Sequence, residues 1–127
     1  MPFHNYLHTA VVWPWKEGQY EVDGGDPVIN VNEPIEIDCT VWLGDAEAPA
    51  ETGGSMTING QADVDRPLLT NSLFWPGELE DWDSQDPKLV KRLMSIAGYN
   101  EAGNIRGDDP TMIVNLKWFT GTLPQGM

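Results

Sequence analysis

The chain has 127 residues, and seven basic against twenty acidic side chains leave a net charge of −13. Gripping a phosphate backbone needs a Lys/Arg surface that releases counterions, so this balance excludes a domain whose main task is nucleic-acid binding. With 40% apolar and 21% charged residues, and six Trp, three Tyr and three Phe, the chain is not a disordered acidic tail either, and one domain around one core is expected.

Cys39 is the only cysteine, so no intrachain disulfide and no Cys-rich metal cluster can form. Met1 to Trp15 holds His4, His8 and Pro14 but no charged region followed by a long apolar run, so it does not read as a signal peptide. No stretch approaches the roughly 18 consecutive apolar residues of a spanning helix. The expected site of synthesis is a reducing, intracellular one, with no membrane partner. The acidity keeps a small domain soluble, and four Lys with three Arg also suit a salty environment. A third reading, an acidic surface facing a moving polyanion, needs independent signs of a channel.

In chain order, Leu7 to Trp13 is a strand, β-branched and aromatic at its far end. Asp23-Gly24-Gly25-Asp26-Pro27 is a turn. Ile35 to Trp42 is the best strand, with Ile35, Ile37, Cys39 and Val41 on one face and Glu36, Asp38 and Thr40 on the other. From Gly44 to Gly54 the chain offers Ala46, Ala48 and Ala50 among Glu47, Pro49 and Glu51, almost nothing large to bury, and reads as a long exposed loop. Ser55 to Asn59 is a short strand returning from it, and Pro67 to Trp75 a weaker strand. Asp86-Pro87 before Lys88 to Ala97, then Gly98, carries helix start and stop signals, with Asp at the N-cap, Pro in the first turn and Gly at the end. The same residues allow a strand, with Leu93, Ser95 and Ala97 on one side and Met94 and Ile96 on the other. Gly103-Asn104 and Asp108-Asp109-Pro110 are turns. Met112 to Thr120 alternates Ile113, Asn115 and Lys117 against Val114, Leu116 and Trp118, and Leu123 to Met127 closes a loose tail. The fold class is mainly β: a small single-domain β-barrel or sandwich over residues 1–127, with a long loop, room for one short helix, and a tail at 122–127.

Chemical constellations are weak. His4 and His8 are four apart, but no third ligand of usual spacing follows and their segment reads as a strand. Asp81-Trp82-Asp83-Ser84-Gln85-Asp86 begins like a calcium loop, yet position six is Asp86 rather than Gly and position twelve is Arg92 rather than Glu. Cys39 has no base beside it in sequence and lies on the apolar face of its strand, where a small buried hydrophobe is expected. Ser55 and Ser72 lack a Gly-x-Ser-x-Gly elbow, and no Gly-rich phosphate loop occurs. Twenty acids guarantee accidental carboxylate pairs, so they carry no case for glycoside hydrolysis. No enzyme, cofactor or metal is expected. Sugar stacking on Trp13, Trp15 or Trp82 leaves a carbohydrate- or peptide-binding β module as an alternative, while Trp42 and Trp118 read as core or subunit contacts.

The order of features has a further significance. Phe3-His4-x3-His8-Thr9-Ala10-Val11-Val12 is followed by Gly25-Asp26-Pro27-Val28, then by Pro34-Ile35-Glu36-Ile37-Asp38-Cys39-Thr40-Val41-Trp42 and a long loop. Leu73-Phe74-Trp75-Pro76 and the closing Met112-Ile113-Val114-Asn115-Leu116-Lys117-Trp118-Phe119-x-Gly121 complete the pattern. This resembles the small head-closure proteins of tailed viruses, also called head-to-tail stoppers or head–tail connectors. The departure is between Glu78 and Asp109, where family members carry a strand; Leu93-Met94-Ser95-Ile96-Ala97-Gly98-Tyr99 is the stretch that could supply it. The resemblance implies a β-barrel made in the host cytoplasm and built into the virion neck as a ring of about six or twelve copies. A portal-adaptor protein would sit above and a tail-completion or terminator protein below, with packaged DNA passing without sequence-specific contacts. Asp45, Glu47, Glu51, Gly53 and Gly54 would then form a channel loop whose acids repel phosphate. Trp13, Trp15, Trp75 and Trp82 would serve assembly contacts. Another neck, tail-completion or decoration protein of the virion is the nearest alternative.

Overall fold

The computed structural model describes residues 6–21, 27–49, 54–101, 112–121, 123–124 and 127. Its strands are β1 (His8–Trp13), β2 (Trp15–Glu21), β3 (Pro27–Val31), β4 (Ile35–Pro49), β5 (Ser55–Val64), β6 (Leu73–Pro76), β7 (Met94–Glu101) and β8 (Met112–Trp118). A one-turn helix, α1 (Pro87–Val90), lies between β6 and β7. The fold is mainly β, as the sequence leads one to expect, and of the two expected forms it is the barrel. Six antiparallel strands close in the order β1-β4-β5-β8-β7-β6, while β2 and β3 pair separately. No described helix is long and apolar enough to cross a membrane.

Strand alternation builds the barrel interior. Ala10 and Val12 of β1, Ile37 and Cys39 of β4, Ala62 and Val64 of β5, Phe74 of β6, Met94 and Ile96 of β7, and Val114 and Leu116 of β8 are buried together inside it. The opposite face of β1 and β6 is buried as well. Val11, Trp13, Leu73, Trp75 and Leu93 form a second core outside the barrel, covered by Val31, Trp82, Leu89, Phe119, Leu123 and Met127. A strand buried on both faces reads as a continuous apolar run, which is why Ala10-Val-Val-Trp13 and Leu73-Phe-Trp75 show no polar alternation.

Three expectations are corrected. The loop expected at Gly44 to Gly54 is instead largely strand: β4 runs on to Pro49 and pairs with β5 through Ala46↔Ile58, Glu47↔Thr57 and Ala48↔Met56, after a register shift between Leu43 and Ala46. Small alanines carry little bulk themselves, but the facing strand supplies it. Over 87–97, where helix and strand both stand open, the chain takes each in turn: one turn of helix, then strand. Asp86 Oδ1 accepts the Lys88 N–H at 2.9 Å as the N-cap signal requires, yet β7 begins at Met94, pairing Phe74↔Met94 and Ile96↔Leu116. Barrel closure between β6 and β8 outweighs local propensity there. The end of the chain is not a free tail, because Leu123 and Met127 pack on the second core and Pro124 is buried. The weak strand expected from Pro67 is confined to Leu73–Pro76.

Trp75 anchors the outer core. Its Nε1–H donates to the Leu89 carbonyl at 2.9 Å, and the Trp82 ring meets both Trp13 and Trp75 edge-on at centroid distances of 4.9 and 5.4 Å. Gly77 turns the chain away beside it at φ +147°, where a Cβ would lie 2.5 Å from Trp75 Cζ3. Trp75→Phe, which strands the Leu89 carbonyl and opens a gap, is expected to lower unfolding free energy by about 2–4 kcal/mol in urea titration. Gly77→Ala, with a clash added to an unfavourable φ, should cost at least about 1 kcal/mol in the same measurement.

Candidate functional site

Past the barrel wall, β4 and β5 continue as a two-stranded arm. Leu43↔Gly60 is the last pair before the register shift, and Gly44 there has φ +152°. Beyond it the two faces of the arm differ. On one, Asn59 Nδ2 donates to Asp45 Oδ1 at 2.9 Å and Thr57 Oγ1 donates to Glu47 Oε1 at 3.2 Å, so each acid is held by a polar side chain across the ladder. On the other, Ala48 and Ile58 are buried and Met56 half-buried. The Trp118 N–H donates to Asn59 Oδ1 at 3.1 Å, and Met56 Cε lies 3.7 Å from where a Cβ on Gly98 would be, so the arm rests against β8 and β7. Of the five residues expected to form a channel loop, Asp45 and Glu47 stand on the exposed polar face of this arm and Gly54 at its outer end, just before the return strand begins. Glu51 and Gly53 lie outside the described residues, as does His4.

The tryptophans divide differently from the expectation. Trp13 and Trp75 are fully buried in the outer core and cannot meet another molecule. Trp82 is half-buried against both and donates its Nε1–H to the Met127 carbonyl at 3.3 Å. Trp15 is half-buried at the start of β2, with its backbone N–H donated to Ser72 Oγ at 2.9 Å. The exposed rings are Trp42, at 53%, and Trp118, at 42%. Their position at or near strand ends fits core or subunit contact; Trp118 keeps the inward parity of Val114 and Leu116 yet is exposed at the end of β8, and Trp42 is on the outer face of β4.

Cys39 is sealed in the barrel interior. Burial first, then the charges of Asp65, Asp38 and Asp63, push its thiol up to about 12, so it is an inert core residue. Nearby, Arg66 donates from Nε to Asp65 Oδ1 at 2.8 Å and from Nη2 to Oδ2 at 3.1 Å. This bidentate pair holds the Asp65 carboxyl below the usual carboxylate range. Glu78 is shifted the other way: a hydrogen bond from its carboxyl to Glu80 and the charges of Glu80, Asp81 and Glu36 raise it. Among the described residues, no group of three His, Cys, Asp or Glu is placed to hold a metal ion.

Asn115 is a polar side chain the sequence reading did not single out. It is buried on β8 and accepts from Gln61 Nε2 at 3.0 Å, a cross-strand pair beside the seam between β5 and β8. Its buried state has no signal in the sequence, since its position in the alternation is that of Ile113 and Lys117.

Comparison with protein-family models, with curated proteins and with solved structures found no match for this chain.

Two outcomes follow from these ionisations. At pH 8, Cys39 in the folded protein should react with a soluble disulfide reagent no faster than the chain unfolds, and should react at once in 6 M guanidinium, conditions of about the usual thiol pKa of 8.5. Asp65 keeps its charge to lower pH folded than unfolded. Its stabilisation is therefore complete above the unfolded value of about 3.9 and disappears as pH falls through the lowered folded value. Asp65→Asn should flatten the dependence of the urea midpoint on pH in that acid range and leave its slope near neutrality unchanged.

Proposed function

We propose that this chain is a structural virion protein of the head–tail junction of a tailed virus, assembled as a ring that closes the DNA channel and joins head to tail. It carries no catalysis in this reading. The observation that carries the proposal is the acidic two-stranded arm raised on a small closed barrel. The barrel interior is filled by side chains, so DNA cannot thread a single copy and a channel would have to lie on the axis of a ring of copies. Arms turned toward that axis would present Asp45 and Glu47 to phosphate, repelling it so that the duplex slides without sticking. A paired arm suits a gate better than a loose loop, because it can bear load from a pressurised genome. The presence of β7 supports the reading too, since the head-closure resemblance needs a strand where the local signals favoured a helix.

Placement in the neck would put a portal-adaptor protein on one side and a tail-completion or terminator protein on the other. With Trp13 and Trp75 inside the fold, ring contacts fall instead to exposed surfaces such as Trp42 and Trp118. These same two rings are the feature that favours the alternative, a carbohydrate-binding β module, because an exposed indole is what a sugar stacks on.

Quantitative mass spectrometry of particles purified from the source culture tests the reading directly. About six or twelve copies per particle is the expected value for a ring at a unique vertex. Hundreds of copies would make it a decoration or tube protein, and absence from particles together with glycan quenching of Trp fluorescence would establish the sugar-binding module. Replacing residues 44–59 with an Asn-Gly turn between Leu43 and Gly60, which already face each other, should leave a folded barrel but yield particles that lose DNA. Normal DNA retention and infectivity with that variant would remove the arm from the mechanism.

A further inference from the structure

Where β1 and β4 diverge, the surface holds a groove of about 560 Å³ that continues to the turn after β6. Its floor is apolar. Leu7, 73% exposed, and Leu43, 59% exposed, line it together with Val41, and both are large side chains that the chain leaves facing solvent. The rim is acidic: Asp38 of β4 and Glu78 of the turn after β6 border the groove, and Glu78 also borders the adjoining cleft of Glu36 and Glu80.

One cation, Arg92, lines the groove as well, but its guanidinium is turned to the Pro76 carbonyl, at 2.7 Å from Nη2, and to the Trp75 ring, at 5.2 Å, rather than to Asp38 or Glu78. Among the described residues Arg66 makes its ion pair with Asp65 and acts on Asp38 only through space, and the crowding of Glu78 by Glu80, Asp81 and Glu36 marks a place where an arriving cation would relieve repulsion. The wall is firm, since the Val41 N–H donates to His8 Nδ1 at 3.0 Å and the Leu7 N–H to Thr40 Oγ1 at 3.2 Å.

We propose that this groove docks an extended segment of a partner protein in which lysine or arginine alternates with apolar residues, the apolar side chains seated on Leu7 and Leu43 and the cations on Asp38 and Glu78. A second copy of the chain is a poor occupant of this groove, because seven basic against twenty acidic side chains leave it few cations to set against Asp38 and Glu78. The chemistry of the groove stands apart from the virion reading and does not depend on it.

The test uses the full chain and a fluorescein-labelled Lys-Leu-Lys-Leu-Lys peptide followed by anisotropy, with Lys-Ser-Lys-Ser-Lys and Glu-Leu-Glu-Leu-Glu as controls. Saturable binding of the first peptide alone is expected. The pair Leu7→Ser with Leu43→Ser, and separately the pair Asp38→Asn with Glu78→Gln, should each weaken it about tenfold, while Glu33→Gln with Asp83→Asn, equal in charge removed but outside the groove, should change it less than about twofold. Thermal unfolding checks that each variant is folded, and Glu78→Lys at a fully exposed position supplies the same reading if a paired variant is not. Equal binding of the Lys-Ser peptide, equal loss in the Glu33/Asp83 variant, or no saturable binding would overturn the proposal. A dimer in sedimentation that vanishes with Leu7→Ser and Leu43→Ser would also overturn it, by making the occupant a second copy.

Discussion

Trp75 points away from the barrel interior and is nevertheless buried, and much of the remaining chain is arranged to bury it. A strand wall that exposed Val11, Trp13, Leu73 and Trp75 would leave a wide apolar patch on a small protein. The chain covers that wall with its own residues. Leaving β6, it turns at Gly77 within contact distance of the Trp75 ring, crosses with Trp82 edge-on to two indoles, and passes Leu89 so that its carbonyl takes the Trp75 Nε1–H. It then enters β7 with Leu93 in the outer core and Met94 in the inner one. The last residues complete the cover, with Leu123 and Met127 against the same cluster. Two cores share one wall, so a defect in either loosens both.

That shared wall explains which parts of the architecture could be read from the residues. The face assignment of β4, with Ile37 and Cys39 inward between Glu36 and Asp38, follows from a period of two and needs nothing else. The alternation over Met112 to Trp118 is equally clear except at Asn115, whose burial is set by its cross-strand neighbour Gln61. Residues 87–97 could not be resolved locally because both signals are genuine. Asp86 and Pro87 start a turn of helix, and the alternation of Met94 and Ile96 then belongs to a strand that only the barrel can require.

The arm and the tryptophans were opaque for a different reason. Ala46 and Ala48 have little bulk of their own and read as loop in isolation, whereas Ile58 and Met56 stand opposite them and fill the space. Pairing small with large across a ladder is invisible until the register is known. For the indoles, a bulky ring suggests a contact without saying whether the contact lies inside or outside the chain. Trp13 and Trp75 are consumed by the outer core, and the exposed rings are Trp42 and Trp118, for which strand position leaves core and subunit contact equally open.

Closure of the six strands has a consequence for how this molecule can engage others. A closed barrel leaves no open edge along its wall, so association cannot proceed by simple extension of the sheet there. Besides the exposed Trp42 and Trp118 rings, the described surface offers the arm formed by residues 44–49 and 54–59 and the groove beside Leu7 and Leu43. Both are acidic, but their electrostatic roles are opposed. On the arm, Asp45 and Glu47 are each engaged by a neutral donor across the ladder and present a fixed, solvated negative face that repels polyanions. In the groove, Asp38 and Glu78 border exposed leucines, where apolar contact and ion pairing can act on the same arriving segment. In the roles proposed for them, the arm would face a passing polyanion and the groove a basic segment, and β4 joins the two, carrying Asp38 at one end and the arm at the other.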